Sequence, residues 1–468
     1  MPAKQATLGM QELKQKVNES FFPKGKDSKD HVGLELEIWP FRHTAESPHA
    51  LVPFFDDQET GLIQLLRKLE GRLEGFRYHQ KPDGTNIFYF GDGGNLTFEP
   101  GRQLEYSGAP KATLTEAITN LNDTIELLRC HLKSYDIWFF HSGLNPWYTV
   151  DEVGLHLTAP RYIHMNNYFK TISHYGPRMM RLSTSLQINL DAGDPDTAQR
   201  RWLAANLLAP VFTALFANSP FVDRKPSGAF SYRSLIWQNL DPSRTGIQKG
   251  FLTEEYHPCP VEQYLDFALD AHVMRAPNAT GELGYWGNFT TFRQWHEEGL
   301  HGFFPTEEDW AVHLSTLFPE VRARGFFEIR FLDAQSKVWC AVPGILLAFL
   351  LYNAPARERV ITLLEPYRVK LRDMLRQAAL QGLTDPDLLD LSKRIFQLAL
   401  TQANGDEAPL AALAERFFEK YTYRGLNPAA ELLKLNDGAV FSPEQYRSFE
   451  KKQVDRAGDL LQTICEYC

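Results

Sequence analysis

The chain has little cysteine, no long apolar run and no excess of positive charge. Five cysteines in 468 residues, at positions 130, 259, 340, 465 and 468, are few and odd in number, which favours a reducing compartment over a disulfide scaffold. The N-terminal stretch lacks the apolar core of a signal peptide. The longest apolar run, Val342 to Leu351, is far below the ~18 residues of a membrane helix. We therefore expect a cytoplasmic protein with no membrane partner.

Acidic residues outnumber basic ones. The chain has 49 Lys and Arg against 58 Asp and Glu, which gives a net charge of −9. Because phosphate backbones attract basic surfaces, we expect no nucleic-acid partner. The phosphate-binding pattern G-x-x-x-x-G-K-[ST] does not occur either, so any nucleotide must be held in another way. Hydrophobic residues make up 43% of the chain, which is enough for a sizeable core.

Strand patterns and helix patterns separate along the chain. Alternating strand-like segments are spread over residues 32–332, one of them over 95–106, and the last third reads as successive helices, one of them over about 356–382. This order predicts an α+β fold rather than a regular βαβ alternation. We expect a catalytic domain over residues 1–355 and a helical C-terminal region, 356–468, packed on the same domain. Residues 219–260 are rich in Pro, Gly and Ser and predict mostly loop.

Four predicted strands carry polar side chains on one face, where a half-buried strand usually carries apolar ones. The ordinary interpretation of such a face is the solvated side of an antiparallel sheet. Solvated faces usually include lysine and threonine, whereas these faces combine carboxylates, amides and one arginine. We therefore predict that they converge on one site. The residues are Glu35 and Glu37; Glu99, Gln103 and Glu105; Ser185, Gln187 and Asn189; and Glu328 and Arg330.

Convergence of these faces predicts a cation site. Four carboxylates, Glu35, Glu37, Glu105 and Glu328, need a cation because an unpaired buried charge costs several kcal/mol. Oxygen ligands without histidine or cysteine favour Mg²⁺, or Mn²⁺ as an alternative. Mg²⁺ held by few carboxylates keeps positions for phosphate oxygens, and Arg330 beside it would stabilise a transferring phosphoryl group. The pattern thus indicates ATP-dependent phosphoryl transfer, with Arg330 and Glu328 as candidate catalytic residues.

Six segments spread in order over about residues 30–355 carry a family resemblance: VGLELEIW, FEPGRQLEYSGAP, MMRLSTSLQINLD, SYRSLIWQNLDPSRTG, EQYLDFALD and DWAVHLSTLFPEVRARGFFEIRFLDAQ. The chain resembles glutamate–cysteine ligases of the plant and proteobacterial type and the related enzymes that open ergothioneine biosynthesis; RFLDAQ and APRYIHM lean toward the latter. The resemblance implies a glutamine-synthetase-like catalytic domain, in which a curved, mostly antiparallel sheet forms a funnel flanked by helices.

The resemblance also implies a reaction and assigns residues to it. In that family, ATP and Mg²⁺ drive the joining of the γ-carboxylate of L-glutamate to the amine of L-cysteine through a γ-glutamyl phosphate, which gives γ-glutamylcysteine, ADP and phosphate. By position, the four carboxylates above match the family's metal ligands. Gln187, Asn189 and Arg330 match its nucleotide end. Arg233 and Trp237 match its substrate-side R-S-x-I-W run, and Gln103 is a further substrate-side candidate.

Arg233 has two interpretations. It falls in the Pro-, Gly- and Ser-rich segment 219–260, where a loop would cover a site. Arginine binds a carboxylate through two parallel hydrogen bonds, so we expect Arg233 to hold the α-carboxylate of a substrate amino acid. The alternative is a surface arginine in an exposed loop. The family resemblance favours the functional role.

Two departures from the plant pattern leave other functions open. Arg102 stands where the plant pattern has a second glycine, and Ala271–Arg275 reads AHVMR where that pattern is apolar and aromatic. The second departure suggests another γ-glutamyl or carboxylate–amine ligase, with an acceptor other than cysteine. A catalytically inactive relative that binds glutamate or ATP is disfavoured, because the metal carboxylates and Arg330 are all present. We expect a monomer or homodimer.

Overall fold

The computed structural model describes residues 8–23, 30–256, 259–285 and 289–464, so Cys465 and Cys468 lie outside it. Among these residues, no helix is long and apolar enough to span a bilayer. The α-helices are α1 (Met10–Phe21), α2 (Leu62–Arg67), α3 (Leu114–Lys133), α4 (Val150–Val153), α5 (Pro160–Ile172), α6 (Tyr175–Leu182), α7 (Pro195–Leu215), α8 (Tyr232–Leu240), α9 (Pro260–Asp270), α10 (Phe292–Glu298), α11 (Glu307–Ser315), α12 (Ala341–Tyr352), α13 (Ala354–Leu364), α14 (Leu371–Gln381), α15 (Pro386–Leu400), α16 (Ala408–Lys420), α17 (Pro428–Lys434) and α18 (Pro443–Ile464). The strands are β1 (Val32–Arg42), β2 (Ala50–Leu51), β3 (Arg77–Gln80), β4 (Asn86–Tyr89), β5 (Asn95–Phe98), β6 (Leu104–Ser107), β7 (Ile137–Phe140), β8 (Ser185–Leu190), β9 (Phe221–Val222), β10 (Lys225–Pro226), β11 (Thr245–Gly246), β12 (Ala276–Pro277), β13 (Leu283–Gly284), β14 (Phe318–Pro319), β15 (Val321–Ala323) and β16 (Phe327–Asp333).

The main sheet has ten strands and positions the candidate site. Its path is β15-β16-β8-β1-β6-β5-β4-β3, and β2 and β7 also pair with β1. Every pairing in it is antiparallel. The α+β fold class predicted from the order of the elements is thereby confirmed. Strands β6, β1, β8 and β16 lie side by side, and these are the strands with polar faces.

The apolar faces of the same strands pack on helices. Leu34 and Leu36 of β1 and Ile188 of β8 are at most 2% exposed. Helix α12 is apolar on all sides and buried from Ala341 to Leu351, as expected of a core helix rather than a surface helix. At Gly344 a Cβ atom would lie 3.3 Å from Leu34 Cδ2, so α12 approaches the back of the sheet very closely.

Two element predictions are wrong in detail, and the prediction that residues 219–260 are mostly loop is incomplete. The single strand expected over 95–106 is two strands, β5 and β6, joined by a turn in which Arg102 has a φ of 80°. Gly101 in this turn has no room for a side chain, since a Cβ would lie 2.1 Å from the Arg181 carbonyl oxygen. The single helix expected over 356–382 is α13 and α14, separated by 3-10 turns over Glu365–Lys370. The loop expected over 219–260 contains helix α8.

The C-terminal helices lie against the central helices. Helices α13, α14 and α15 contact α7, and α15 and α16 contact α12. Apolar residues of this region, such as Leu388 and Phe417, belong to the same buried cluster as Leu34 of β1. A division of the chain at residue 355 stays a prediction.

Candidate functional site

The strand register brings the predicted carboxylates onto one face of the main sheet. Glu37 on β1 lies directly opposite Glu105 on β6. Glu35, two residues earlier on β1, lies opposite Gln187 on β8. Residues directly opposite on antiparallel strands have Cβ atoms about 5 Å apart, at which like charges repel. The predicted convergence of these three carboxylates on one polar face is therefore present in the structure.

Each of these carboxylates is held by neutral donors. The Glu37 carboxylate accepts hydrogen bonds from the Ser185 backbone N and Oγ, both at 2.8 Å. Glu35 Oε1 accepts from Asn189 Nδ2 at 2.6 Å, and Glu105 Oε1 accepts from Thr97 Oγ1 at 2.9 Å. Neutral donors orient a carboxylate but do not cancel its charge, so a strong demand for positive charge remains.

The pKa values of these carboxylates reflect their uncompensated negative charge. Burial, together with the charge of neighbouring carboxylates, raises the pKa of Glu35 and of Glu105 to about 7. The same causes raise the pKa of Glu99 well above its ordinary value, and burial raises that of Glu37. A bound cation would lower these pKa values because it stabilises ionised carboxylates. The set of oxygen donors therefore fits a hard divalent metal ion.

In the described structure, the carboxylates do not form a metal-binding cluster. Among the residues that the structure describes, no group of three or more His, Cys, Asp or Glu side chains could hold a metal ion as it stands. Asn189 Oδ1 belongs to the amide that donates to Glu35 and is buried without a hydrogen-bond partner among the described residues, so one further oxygen donor lies near these carboxylates. Metal binding by Glu35, Glu37, Glu105 and Glu328 stays a prediction.

Glu328 differs from the other carboxylates because arginines surround it. Its two oxygens accept hydrogen bonds from Arg322 at 2.5 and 2.8 Å, from Arg324 at 3.0 Å and from Arg330 at 2.8 Å. Although burial opposes its charge, the guanidinium groups of Arg322 and Arg330 hold the pKa of Glu328 well below its ordinary range. Glu328 is therefore ionised, and the surrounding arginines balance its negative charge.

Arg322 and Arg324 were missed by the sequence reasoning. Arg322 lies directly opposite Glu328 across the β15–β16 hairpin, and Gly325 with a φ of 80° lies in the turn between them. The available signal was the alternation V-R-A-R just before Gly325, which places two cations on one face of a strand that returns antiparallel to β16.

Arg330 joins the nucleotide-side candidates to the carboxylates. Its Nη1 donates to Gln187 Oε1 at 2.6 Å as well as to Glu328. Its guanidinium lies 5.5 Å from the centre of the Trp237 ring and 5.7 Å from that of Phe318, within cation–π range. The structure therefore places Arg330, Gln187, Glu328 and Trp237 together.

Arg233 lies neither in a loop nor on the surface, so both of its expected locations are wrong. It is the second residue of α8 and is 2% exposed. Helix α8 starts there because the Ser231 side chain accepts from the Ser234 backbone N as an N-cap, a local signal that composition obscured. Arg233 Nη2 donates to the Arg330 carbonyl oxygen at 3.0 Å, and Nη1 lies 3.9 Å from Asp333 Oδ1.

Replacing Arg233 by alanine is expected to affect both stability and substrate binding. The change removes a buried counter-charge from Asp333, and we expect a loss of about 1–3 kcal/mol in the free energy of unfolding. If Arg233 also holds a substrate carboxylate, the KM for one amino acid rises at least about tenfold and that for ATP barely changes. Chemical denaturation and steady-state kinetics measure the two effects.

A matched control for Arg233→Ala is Arg178→Ala. Arg178 pairs with Asp223 at 2.5 Å, but both side chains are more than a fifth exposed, so a loss below about 1 kcal/mol is expected. Unfolding free energies that do not differ between the two variants would contradict the buried role of Arg233. Equal, small KM changes for all substrates would contradict its substrate role.

Gln103 lies at a strand junction rather than on a continuous polar strand. Its Nε2 donates to the Ser183 carbonyl oxygen at 2.9 Å, which ties the turn before β6 to the start of β8. Its Oε1 is buried without a partner in the described residues. A substrate-binding role for Gln103 stays a prediction.

A basic hollow opens beside Glu328. It has a volume of about 700 Å³ and is lined by Arg161, Arg322 and Arg324, together with Tyr264 and Trp310. Arginine binds phosphate oxygens through paired hydrogen bonds. The arrangement is chemically suited to an anionic ligand bound by the arginines, two of which also contact Glu328. The lining further includes Lys16, which pairs with the two acidic residues of the hollow, Glu19 and Glu307.

Comparisons with known proteins agree on one family. The model of glutamate–cysteine ligase family 2 (GCS2) matches residues 31–448. The chloroplastic glutamate–cysteine ligase of Arabidopsis thaliana is 29% identical over 451 residues, which cover 93% of this chain and 82% of the relative. That of Medicago truncatula is 31% identical over 389 residues, which cover 80% and 74%.

Two solved structures share the fold at low sequence identity. The crystal structure of a Francisella tularensis glutamate–cysteine ligase in complex with AMP matches with a TM-score of 0.54 and 13% identity over 94% of this chain and 89% of that chain. A bifunctional glutathione synthetase from Pasteurella multocida matches with a TM-score of 0.53 and 12% identity over 92% and 53%. These matches concern the fold alone.

Proposed function

The chain belongs to glutamate–cysteine ligase family 2, and from this membership we propose that it joins the γ-carboxylate of L-glutamate to the amine of L-cysteine at the expense of ATP. The family predicted from the sequence segments is confirmed. The observation that carries the proposal is the polar face on which Glu35, Glu37 and Glu105 stand beside the pair Glu328 and Arg330.

The carboxylates are the proposed metal ligands. Glu35, Glu37 and Glu105 would hold Mg²⁺, or Mn²⁺, and Glu328 would join them on release from its arginines; the bound metal would offset the negative charge of the carboxylates and of a triphosphate. Their raised pKa values at Glu35 and Glu105 and the unpartnered Asn189 Oδ1 support this assignment. Neutral donors such as Ser185 and Thr97 fix the carboxylate orientations.

The nucleotide is proposed to lie across β8 and β16. Gln187, Asn189 and Arg330 would contact it, and the hollow lined by Arg322 and Arg324 would receive its phosphates. The AMP bound to the Francisella relative supports a nucleotide site in this fold. Arg330 is positioned through Gln187 and stacked on Trp237, so little reorganisation is needed when charge develops on the transferring phosphoryl group.

The proposed reaction has two steps. A γ-carboxylate oxygen of glutamate attacks the γ-phosphorus of ATP, the bond to ADP breaks, and a γ-glutamyl phosphate forms. The amine of the acceptor then attacks the acyl carbon and loses a proton, and phosphate leaves as the amide forms. No covalent bond to the protein is needed, which agrees with a site built from Glu, Gln, Asn and Arg side chains.

A second candidate is a ligase of the same class with another acceptor. Met274, in the AHVMR segment that departs from the plant pattern, belongs to the apolar cluster that contains Ile236 of α8 and Phe318. Trp237 packs against this cluster. The departing segment therefore packs beside the proposed substrate side, where it would influence the choice of acceptor.

A screen of acceptors tests both candidates. Purified protein is incubated with ATP, Mg²⁺ and L-glutamate, and phosphate release is measured with cysteine, alanine, serine, 2-aminobutyrate or an imidazole-bearing amino acid. Mass spectrometry identifies the amide. Cysteine is expected to give the highest kcat/KM, and omission of glutamate or chelation of Mg²⁺ should stop release. A higher value for another acceptor selects the second candidate, and no amide with any acceptor contradicts both.

Location and assembly stay predictions. The plant relatives are chloroplastic by name, whereas we expect this chain in the cytoplasm. A monomer or homodimer is the expected assembly, since the proposed site is formed within one chain.

A further inference from the structure

A second basic cavity lies among the C-terminal helices, away from the polar face of the main sheet. We call it the C-terminal hollow; it has a volume of about 600 Å³. In a chain whose net charge is −9, its lining has six cations and only two carboxylates. The charged residues that line it are Arg416, Lys420, Arg424, Lys434, Lys452, Arg456, Glu419 and Glu431.

Among the residues that the structure describes, carboxylates balance little of this positive charge, and Arg416 Nη1 donates a hydrogen bond to the Arg456 carbonyl oxygen at 3.4 Å. Glu431 accepts hydrogen bonds from Lys420 Nζ at 2.8 Å, from the Tyr421 hydroxyl and from Gln453 Nε2 at 3.4 Å, so this carboxylate is already occupied. The other five cations of the hollow form no ion pair with the described residues. Like charges gathered on a concave surface raise the local potential and attract anions.

Aromatic rings form the inner wall of the C-terminal hollow. Trp339 and Tyr421 are buried, with ring centres 5.9 Å apart, and Phe449 is half-buried. Lys420 Nζ lies 4.6 Å from the centre of the Tyr421 ring and 5.5 Å from that of Trp339. Burial lowers the pKa of Lys420 despite the nearby Glu431, so an additional anion there would be stabilising. An apolar wall with charged groups around it is typical of small-molecule sites.

We propose that the C-terminal hollow binds a small organic polyanion that carries at least two phosphate or carboxylate groups. Arginines 416, 424 and 456 can each bind such a group through paired hydrogen bonds. The volume suits a metabolite-sized ligand. The hollow is formed by α16, α17 and α18 with Trp339, whereas the proposed catalytic residues lie on β1, β6, β8 and β16, so the two sites are separate in the fold.

The decisive variant is Lys452→Glu with Arg456→Glu, two residues one helical turn apart on α18. Its matched control is Arg359→Glu with Arg376→Glu on α13 and α14, which changes net charge equally at exposed positions outside the hollow. Isothermal titration at about 0.15 M salt suppresses non-specific charge attraction. The probes are inorganic pyrophosphate and citrate, without Mg²⁺, and basal ligase activity verifies that both variants fold.

The expected result is binding of at least one probe to the unmodified chain and to the control, with affinity at least tenfold lower in the Lys452→Glu, Arg456→Glu variant. Binding of pyrophosphate alone identifies a phosphate ligand, and binding of citrate alone identifies a polycarboxylate. Equal affinity in the two variants, an equal loss in both, or binding of neither probe to the unmodified chain would overturn the proposal.

Discussion

Replacing Glu35 by glutamine is expected to abolish turnover and to stabilise the Mg²⁺-free protein. Glutamine keeps the volume and the hydrogen bond from Asn189 but removes one charge from a buried group of repelling carboxylates. Turnover should fall on the order of 10³-fold, since a metal ion supplies several kcal/mol of charge stabilisation. The free energy of unfolding in the presence of a chelator should rise by about 1–3 kcal/mol.

A buried carboxylate with the opposite environment provides the control. The Glu126 carboxylate accepts hydrogen bonds from Arg129 and, at 2.8 Å, from Lys337 Nζ. These partners lower the pKa of Glu126 to about 2 even though burial opposes its charge. Glu126→Gln should therefore destabilise the protein and leave turnover per folded molecule unchanged. Phosphate release and thermal unfolding, with and without Mg²⁺, measure both variants. A near-normal kcat for Glu35→Gln would refute its assignment as a metal ligand.

Replacing Arg330 by lysine should mainly lower kcat. Arg330 contacts both Gln187 and Glu328 through one nitrogen, Nη1, so other guanidinium nitrogens remain for a transferring phosphoryl group. Lysine keeps the positive charge but has a single nitrogen for all of these contacts, and it loses the planar group over Trp237. Because the proposed role of Arg330 is in the transition state, kcat should fall about 10²–10³-fold while the KM for ATP changes less than about fivefold. Initial rates at varied ATP concentration separate the two quantities.

Arg324 offers the comparison for Arg330, since it donates to the same carboxylate. Its side chain is 53% exposed, and lysine keeps the charge that the proposed phosphate hollow needs, so we expect Arg324→Lys to retain kcat within a few-fold and to change mainly the KM for ATP. If Arg330→Lys changes only the KM for ATP, Arg330 binds the ground state and does not stabilise the transferring group. Equal losses of kcat in both variants would instead assign the effect to the charge around Glu328.

The sequence predicted best those parts of the site that depend on strand periodicity. Glu35, Glu37, Gln187 and Asn189 lie on regular strands, so alternation alone placed them on one face. Register between strands is set by turns and by long-range pairing, and it was not visible. For this reason the contact between Arg322 and Glu328 was not predicted, although the two residues lie in the same segment of the sequence.

Composition misled the prediction where local capping or backbone conformation decided the structure. Residues 219–260 are rich in loop formers, yet Ser231 caps α8 and Asp333 fixes its first turn by accepting hydrogen bonds from the Ser219 and Ser231 hydroxyls at 2.8 and 2.9 Å. The strand expected over 95–106 is interrupted because Arg102 takes a left-handed conformation, which a two-residue alternation does not reveal.

The close approach of α12 to the sheet has a consequence for tolerance to change. Gly344 has no chemistry of its own, but a Cβ there would press on Leu34 at 3.3 Å and Ile188 at 3.6 Å, on the far side of the strands that carry Glu35 and Gln187. A larger residue would move these strands by a few tenths of an ångström, and misplacements of reacting groups are costly to catalysis. The positions of Glu35 and Gln187 thus depend on the size of Gly344, which lies on the opposite side of the sheet from the polar face.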